Sequence, residues 1–163
     1  GAQTDAIRRG VRNRRNRLIV DPNPRAGMMR DRDAFRVNFL DIAATSALVK
    51  VSDEDALLLG FEDLGELVTE LLARGARAVL ATEGAAGATV RTRGGSVSVP
   101  IAQGETPVID TMGAGDATLA TVVSGLLRGS PAGPDDWRPL LERAMRVAAA
   151  TVRSYGAELQ FAN

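Results

Sequence analysis

The sequence predicts an α/β fold of three layers, helix–sheet–helix, around a mainly parallel β-sheet that carries one β-hairpin. Short apolar runs alternate with longer segments of helical periodicity, as they do in strand–helix–strand units. Two alternating segments, Ala88–Thr92 and Ser96–Pro100, flank Arg93-Gly94-Gly95, and this spacing is typical of a hairpin. The 163 residues have the length of one domain and suffice for a sizeable core.

Composition excludes several classes of function. Lysine plus arginine equal aspartate plus glutamate, at 20 each, so no net charge favours nucleic acid or a membrane as a partner. The absence of cysteine and histidine excludes disulfides, thiolate or imidazole metal sites and histidine-based triads. A general base would therefore be a carboxylate or, as weaker alternatives, Lys50 or Tyr155. No stretch approaches a membrane span, so we expect a soluble, cytoplasmic protein.

Periodicity and end signals place the remaining elements in order. The predicted strands are Arg17–Val20, Ala47–Val51, Ala78–Ala81 and Pro107–Ile109. The predicted helices are Ala6–Arg17, Asp31–Ala43, one beginning at Ser52, Leu64–Ala73 with Gly75 after it, one from Gly113 to a left-handed stop at Gly129, and one from Asp135 to about Arg153.

Two loops follow predicted strands. Two prolines force an extended loop at Asp21–Arg25, at the carboxyl end of a strand, where α/β proteins place ligand sites; a purely structural loop is the alternative. Ser52 with Asp55 three residues later forms a capping-box pattern, which by itself explains both residues.

The most informative stretch is Asp110–Ala117, in which small residues open an uncharged helix. The first amides of a helix lack internal partners, and with Gly113, Ala114 and Gly115 no bulky side chain shields them from a phosphate. Asp116 would stand beside that anion, where a general base for a hydroxyl is useful. The alternative is that Asp116 only complements the helix dipole and that the glycines only form a turn.

This stretch resembles the second signature of the ribokinase-like (PfkB) carbohydrate kinases, Asp-Thr-x-Gly-Ala-Gly-Asp, and the match from Asp110 to Asp116 is complete. The family's Asp-Pro-Asn-x-Arg element matches at Asp21–Arg25, and its Thr-x-Gly-x-x-Gly loop matches at Thr82–Gly87. The family's Asn-x-x-Glu motif is altered here to Ser52 and Asp55. The resemblance runs from about Gly1 to Gly156, although an adenine-contacting asparagine of the family falls at Met145.

The resemblance implies a ribokinase-like fold and transfer of the ATP γ-phosphoryl group to a sugar hydroxyl. Asp116 would be the general base, and the amides of Gly113, Ala114 and Gly115 would form the anion hole. The remaining roles implied are nucleotide binding for Thr82, Gly84, Gly87 and Gly156, substrate-side contacts for Asn23 and Arg25, an outer-sphere Mg²⁺ contact for Asp55, and binding of a monovalent cation such as K⁺ for Asp110 and the Met112 carbonyl.

The resemblance also implies that residues 1–163 are the C-terminal, nucleotide-binding portion of such a kinase, without the half that supplies sugar contacts and the lid. We therefore expect the chain alone to be inactive. The central helix is apolar nearly all round, which is typical of a helix between layers. Its sheet would end where the missing half should continue pairing, so we also expect an exposed edge and uncovered apolar area. Expected partners are ATP and a sugar; a homodimer is compatible with the family, but its lid region is absent. The motifs look most like bacterial fructokinases, with ribokinase or 2-keto-3-deoxygluconate kinase as enzymatic alternatives. A non-catalytic nucleotide-binding module is the alternative from another class.

Overall fold

The computed structural model describes residues 18–103 and 107–154. The predicted helix Ala6–Arg17, together with Tyr155 and Gly156, lies outside this part of the chain. Five strands form one sheet, in the order β1 (Ile19–Val20), β2 (Leu48–Ser52), β3 (Ala78–Thr82), β4 (Ala88–Thr92) and β5 (Gly95–Val99). The chain divides into two compact units, the first comprising residues up to Ala81 with Arg91–Arg93 and the second comprising the rest. Each unit is described by itself.

The first unit contains most of the strand–helix alternation. Strand β1 pairs with β2 in parallel, with Ile19 opposite Leu48. The first four residues of β2 are all buried. A strand that is buried on both faces is typically a continuous apolar run, and β2 departs from this pattern among those four residues only at Lys50. Its elements are β1 (Ile19–Val20), a 3₁₀ turn (Ala26–Met28), α1 (Arg32–Ala43), β2 (Leu48–Ser52), α2 (Asp53–Leu58), α3 (Leu64–Arg74) and β3 (Ala78–Thr82), whose last residue belongs to the second unit.

Helix α3 shows how the sequence sets its own ends. The Asp63 side chain accepts the Glu66 N–H at 2.7 Å and caps the first turn. At the other end Gly75 adopts a φ of +125°, and a Cβ there would approach the Ala44 carbonyl oxygen to 2.7 Å. Glycine is therefore required at position 75, and its predicted role as the helix stop is confirmed.

The second unit consists of the hairpin and two packed helices. Helix α5 (Arg138–Thr151) packs on helix α4 (Ala114–Leu126) and on β5. The approach of the two helices is close at Gly125, where a Cβ would lie 2.4 Å from Leu140 Cδ2. The elements of the second unit are a 3₁₀ turn (Gly84–Ala86), β4 (Ala88–Thr92, with its last two residues in the first unit), β5 (Gly95–Val99), α4 (Ala114–Leu126), a 3₁₀ turn (Pro134–Trp137) and α5 (Arg138–Thr151).

One predicted strand is wrong. Residues Pro107–Ile109 pair with no strand among the described residues. The amides of Ile109 and Asp110 instead donate to the Val152 carbonyl, at 2.8 and 3.2 Å. This segment is therefore held by the end of α5, a long-range contact that its apolar composition does not reveal.

The predicted stop of the central helix is also wrong. Helix α4 ends at Leu126, and the amides of Leu127 and Arg128 close a turn on the carbonyls of Val123 and Gly125. Gly129 is not among the glycines with positive φ, so it does not provide a left-handed cap.

Helix α4 buries only part of its surface. Ala117, Thr118 and Val122 are buried, whereas Leu127, just beyond the helix, is 84% exposed. Val108, Ile109 and Met112 are exposed as well. None of the described helices is long and apolar enough to cross a membrane.

Candidate functional site

The loop before α4 is shaped by one carboxylate and one glycine. Asp110 Oδ1 accepts the Met112 N–H at 2.9 Å, so this side chain closes a tight turn with the backbone two residues further on. Gly113 follows as the N-cap with φ +81° and ψ −8°, a left-handed conformation that favours glycine. The sequence therefore dictates a sharp entry into the helix.

This entry leaves backbone donors open. The Ala117 N–H donates to the Gly113 carbonyl at 2.8 Å, and the Ala114 N–H makes a longer bond of 3.3 Å to Thr111. Within the described ranges, the amides of Gly113, Gly115 and Asp116 have no acceptor. The hole predicted at Gly113, Ala114 and Gly115 thus has two open donors, while the Ala114 amide is engaged in the turn.

Asp116 lies in the first turn of α4 with an exposed side chain. No residue that the structure describes donates a hydrogen bond to its carboxylate. The nearby hydroxyls do not compete for a ligand, because Thr118 donates to the Ala114 carbonyl and Thr121 to the Ala117 carbonyl, both at 2.8 Å. The helix start therefore combines open amide donors with an accessible carboxylate.

The glycines of the predicted nucleotide loop have different roles. Gly87 is buried at φ +109°, and a Cβ there would lie 2.2 Å from the Val99 carbonyl oxygen, so the fold itself requires this glycine. Gly84 is exposed at φ +54°, with no atom within 4 Å of an added Cβ. The Glu83 N–H closes the loop by donating to the Gly87 carbonyl at 2.9 Å. Thr82 is half-buried at the end of β3.

A buried ion pair lies at the start of the loop after β1. Lys50 Nζ lies 3.1 Å from Asp21 Oδ2, with the side chains only 8% and 13% exposed. Asp21 Oδ1 accepts the Asn23 N–H at 3.2 Å, and Asn23 adopts a φ of +34°. Burial raises the pKa of Asp21, an effect that Lys50 opposes and the Asp55 charge reinforces. Asn23 and Arg25 are exposed.

Sequence reasoning did not find this ion pair. Lys50 and Asp21 are 29 positions apart, and nothing in the spacing connects them. The available signal was a lysine within a strand that is otherwise apolar, because a buried ammonium requires a carboxylate partner.

Asp55 completes a capping box. Its Oδ2 accepts the Ser52 N–H at 2.7 Å, and the Ser52 hydroxyl accepts the Asp55 N–H at 3.3 Å, so the predicted capping role is confirmed. Asp55 is only 4% exposed. The described residues contain no group of three or more potential metal ligands. One oxygen of the Asp55 carboxylate is thus engaged in the capping box.

The predicted site residues fall into both units. Asn23, Arg25 and Asp55 belong to the first unit, whereas Gly156 lies outside the described residues. Met145, at the position of the family's asparagine, is buried in α5. The second unit holds Thr82, Gly84, Gly87, Asp110, Met112, Gly113, Ala114, Gly115 and Asp116.

Comparison with known families gives the assignment. The pfkB family of carbohydrate kinases matches residues 9–161, which is nearly the whole sequence. The match includes the loop and the helix start described above. The chain belongs to the pfkB family of carbohydrate kinases.

This pfkB chain is similar both to a protein of known name and to solved structures. It is 37% identical over 110 residues to a fructokinase of Rhizobium leguminosarum bv. trifolii, an alignment that covers 67% of this chain and 33% of that protein. The structure of aminoimidazole riboside kinase from Salmonella enterica, complexed with aminoimidazole riboside and an ATP analog, matches with a TM-score of 0.80 at 25% identity. That match covers 91% of this chain and 51% of the other.

Ribokinase from Thermotoga maritima matches with a TM-score of 0.64 at 19% identity, covering 85% of this chain and 43% of the other. The predicted ribokinase-like α/β fold with a β-hairpin is thereby confirmed as a partial domain. The sheet is mixed, with a parallel β1–β2 pair and the β4–β5 hairpin. The pfkB chain spans about a third of the fructokinase and about half or less of the two solved structures.

Proposed function

We propose that this chain is the nucleotide-binding, C-terminal portion of a kinase that transfers the γ-phosphoryl group of ATP to a sugar hydroxyl, with fructose as the first candidate. The observation that carries the proposal is the start of α4, where the amides of Gly113, Gly115 and Asp116 have no acceptor in the described structure and the Asp116 carboxylate is accessible. Membership of the pfkB family supports the reaction class. The fructokinase relative supports the choice of sugar.

The open amides suit a phosphoryl group. In phosphoryl transfer, catalysis is mainly positioning and stabilisation of charge that develops on the phosphoryl oxygens. Donors fixed by the Gly113 turn need no reorganisation to meet that charge, and the positive end of the helix dipole adds to the attraction. Small residues at 113–115 allow the anion to reach the backbone.

Asp116 would act as the general base. Its carboxylate takes the proton of the sugar hydroxyl while that oxygen bonds to the γ-phosphorus, and the bond from phosphorus to the bridging oxygen of ADP breaks. The charge therefore passes from the attacking oxygen to the ADP leaving group, beside the open amides. Within these 163 residues no histidine or cysteine competes for this role, because the sequence contains neither.

The remaining predicted residues complete the proposal. Asp55 would hold a water of bound Mg²⁺ through its second carboxylate oxygen, and the ion would neutralise charge on the nucleotide phosphates. Exposed Gly84 would allow a phosphate to approach the loop backbone, with Thr82 and Gly156 as further nucleotide contacts. Asp110 and the Met112 carbonyl are the proposed monovalent-cation ligands, and Asn23 and Arg25 the proposed substrate-side contacts.

The test is ADP release by the full-length gene product that carries this chain, with fructose, ribose and 2-keto-3-deoxygluconate as competing acceptors. We expect turnover to depend on sugar and to be fastest with fructose. Preference for ribose or 2-keto-3-deoxygluconate would reassign the substrate within the same reaction class. ATP-analogue binding without turnover on any sugar would contradict the proposed activity and favour a nucleotide-binding module.

A further inference from the structure

The ion pair between Lys50 and Asp21 occupies an unusual place for two charges. Lys50 stands in the middle of β2, where both sequence neighbours, Val49 and Val51, are fully buried. An apolar side chain would suit that position, and replacing a buried ion pair by apolar residues is often neutral or stabilising. Stability alone therefore does not explain why Lys50 is present.

The pair is linked to the following loop through the Asp21 carboxylate. Asp21 uses both carboxylate oxygens: Oδ2 contacts Lys50 Nζ at 3.1 Å, and Oδ1 accepts the Asn23 N–H at 3.2 Å. Asn23 is the one described non-glycine residue with positive φ, at +34°. This conformation costs free energy and persists where contacts with the surroundings offset that cost. Pro22 and Pro24 on either side fix their own φ angles and leave Asn23 as the hinge of the loop.

We propose that Lys50 is a positioning residue for the loop Asp21–Arg25: its ammonium orients the Asp21 carboxylate, which in turn holds Asn23 in the left-handed turn. The conformation of Asn23 sets the direction in which the chain continues to Arg25. Lys50 thus acts on the exposed face of the loop from inside the sheet. That this loop meets the acceptor sugar rests on the proposed function, whereas the positioning itself does not.

The test compares amide hydrogen exchange in the wild-type chain and in Lys50→Met. The Asn23 amide should exchange at least about tenfold faster in the variant, since its acceptor is no longer oriented. Amides of α3, such as that of Leu71, should keep their protection. Lys50→Arg retains a cation and should restore slow exchange at Asn23. Arg74→Met, which breaks the exposed ion pair with Glu70, is the matched control and should leave Asn23 unchanged.

Two outcomes would overturn the proposal. Unchanged exchange at Asn23 in Lys50→Met would show that the loop holds itself, and equal acceleration at Asn23 and Leu71 would show a purely fold-wide role. If Lys50→Met does not fold because Asp21 is left buried without its cation, the double variant Lys50→Met/Asp21→Asn removes both charges. In this double variant the Asn23 amide must still exchange faster than it does in the wild-type chain. Binding of an ATP analogue by the wild-type chain tests the proposed function separately, so the two failures are distinguishable.

Discussion

The Ala117 amide donates to the Gly113 carbonyl at 2.8 Å, which makes Gly113 the first acceptor of the central helix. Every amide between these two residues precedes the regular hydrogen-bond ladder of α4. Among the acceptors in residues 18–103 and 107–154, only the Thr111 carbonyl is engaged by one of them, the amide of Ala114. The loop therefore delivers a short series of parallel donors to solvent, and Asp116 lies among them. The first two predictions follow from this arrangement.

Replacing Asp116 with asparagine should separate chemistry from binding. Asparagine keeps the shape but cannot accept the hydroxyl proton, so kcat should fall at least about 100-fold while ATP affinity changes little. The measurement is steady-state ADP release by the full-length gene product, with Asp135→Asn, an exposed aspartate elsewhere, as the control. Near-normal turnover in Asp116→Asn would remove this residue from the mechanism.

Gly115→Val should weaken nucleotide binding by steric exclusion. The branched side chain would stand where a phosphate must reach the backbone, while the first turn of a helix tolerates valine. Calorimetric titration with an ATP analogue should show at least about tenfold weaker binding, a change of about 1.4 kcal/mol. Gly129→Val is the matched control, because no atom lies within 4 Å of its added Cβ. Equal affinity in the two variants would exclude the hole as a binding element.

Asp21 should titrate above its ordinary pKa of 3.8, because burial raises its pKa more than Lys50 lowers it. The folded state then binds this proton more tightly than the unfolded state does. The resulting contribution to the free energy of unfolding is fully present below the unfolded pKa and is lost as pH rises through the folded pKa. Carboxyl-carbon NMR should locate this titration, and a midpoint below 3.8 would reverse the sign of the linkage.

The exposed apolar residues beside α4 should make the isolated 163-residue chain self-associate. Leu127→Lys should reduce association measured by light scattering, since a side chain that is 84% exposed contributes little to the core. Leu57→Lys, also at an exposed position but in the first unit, is the control. The isolated chain should also release no ADP in response to a sugar, because a phosphate site without an acceptor pocket gains nothing from proximity. Sugar-dependent turnover by a monodisperse monomer would contradict both expectations.

Local signals in the sequence were sufficient wherever structure is decided locally. The capping box of Ser52 and Asp55, the Gly75 stop and the hairpin all depend on residues within a few positions of one another. The start of α4 at Gly113 was predictable for the same reason. These elements include the backbone part of the candidate site.

Features that depend on distant partners were not predictable. Pro107–Ile109 has the composition of a strand, but the Ile109 amide donates to the carbonyl of Val152, more than 40 positions later. Lys50 and Asp21 meet only because β1 and β2 are neighbours in the sheet. Spacing along the sequence does not indicate such contacts, so the geometry of the loop Asp21–Arg25 could be described only from the structure.

The most direct test of the central claim is an NMR titration of the ¹⁵N-labelled chain with a non-hydrolysable ATP analogue in the presence of Mg²⁺. Amides that receive hydrogen-bonding anions change their chemical shift strongly. We predict that the largest changes will fall on Gly113, Gly115 and Asp116, with smaller changes at Gly84. Saturable binding that leaves these three amides unchanged, or no binding at all, would contradict the assignment of the α4 start as the phosphate site.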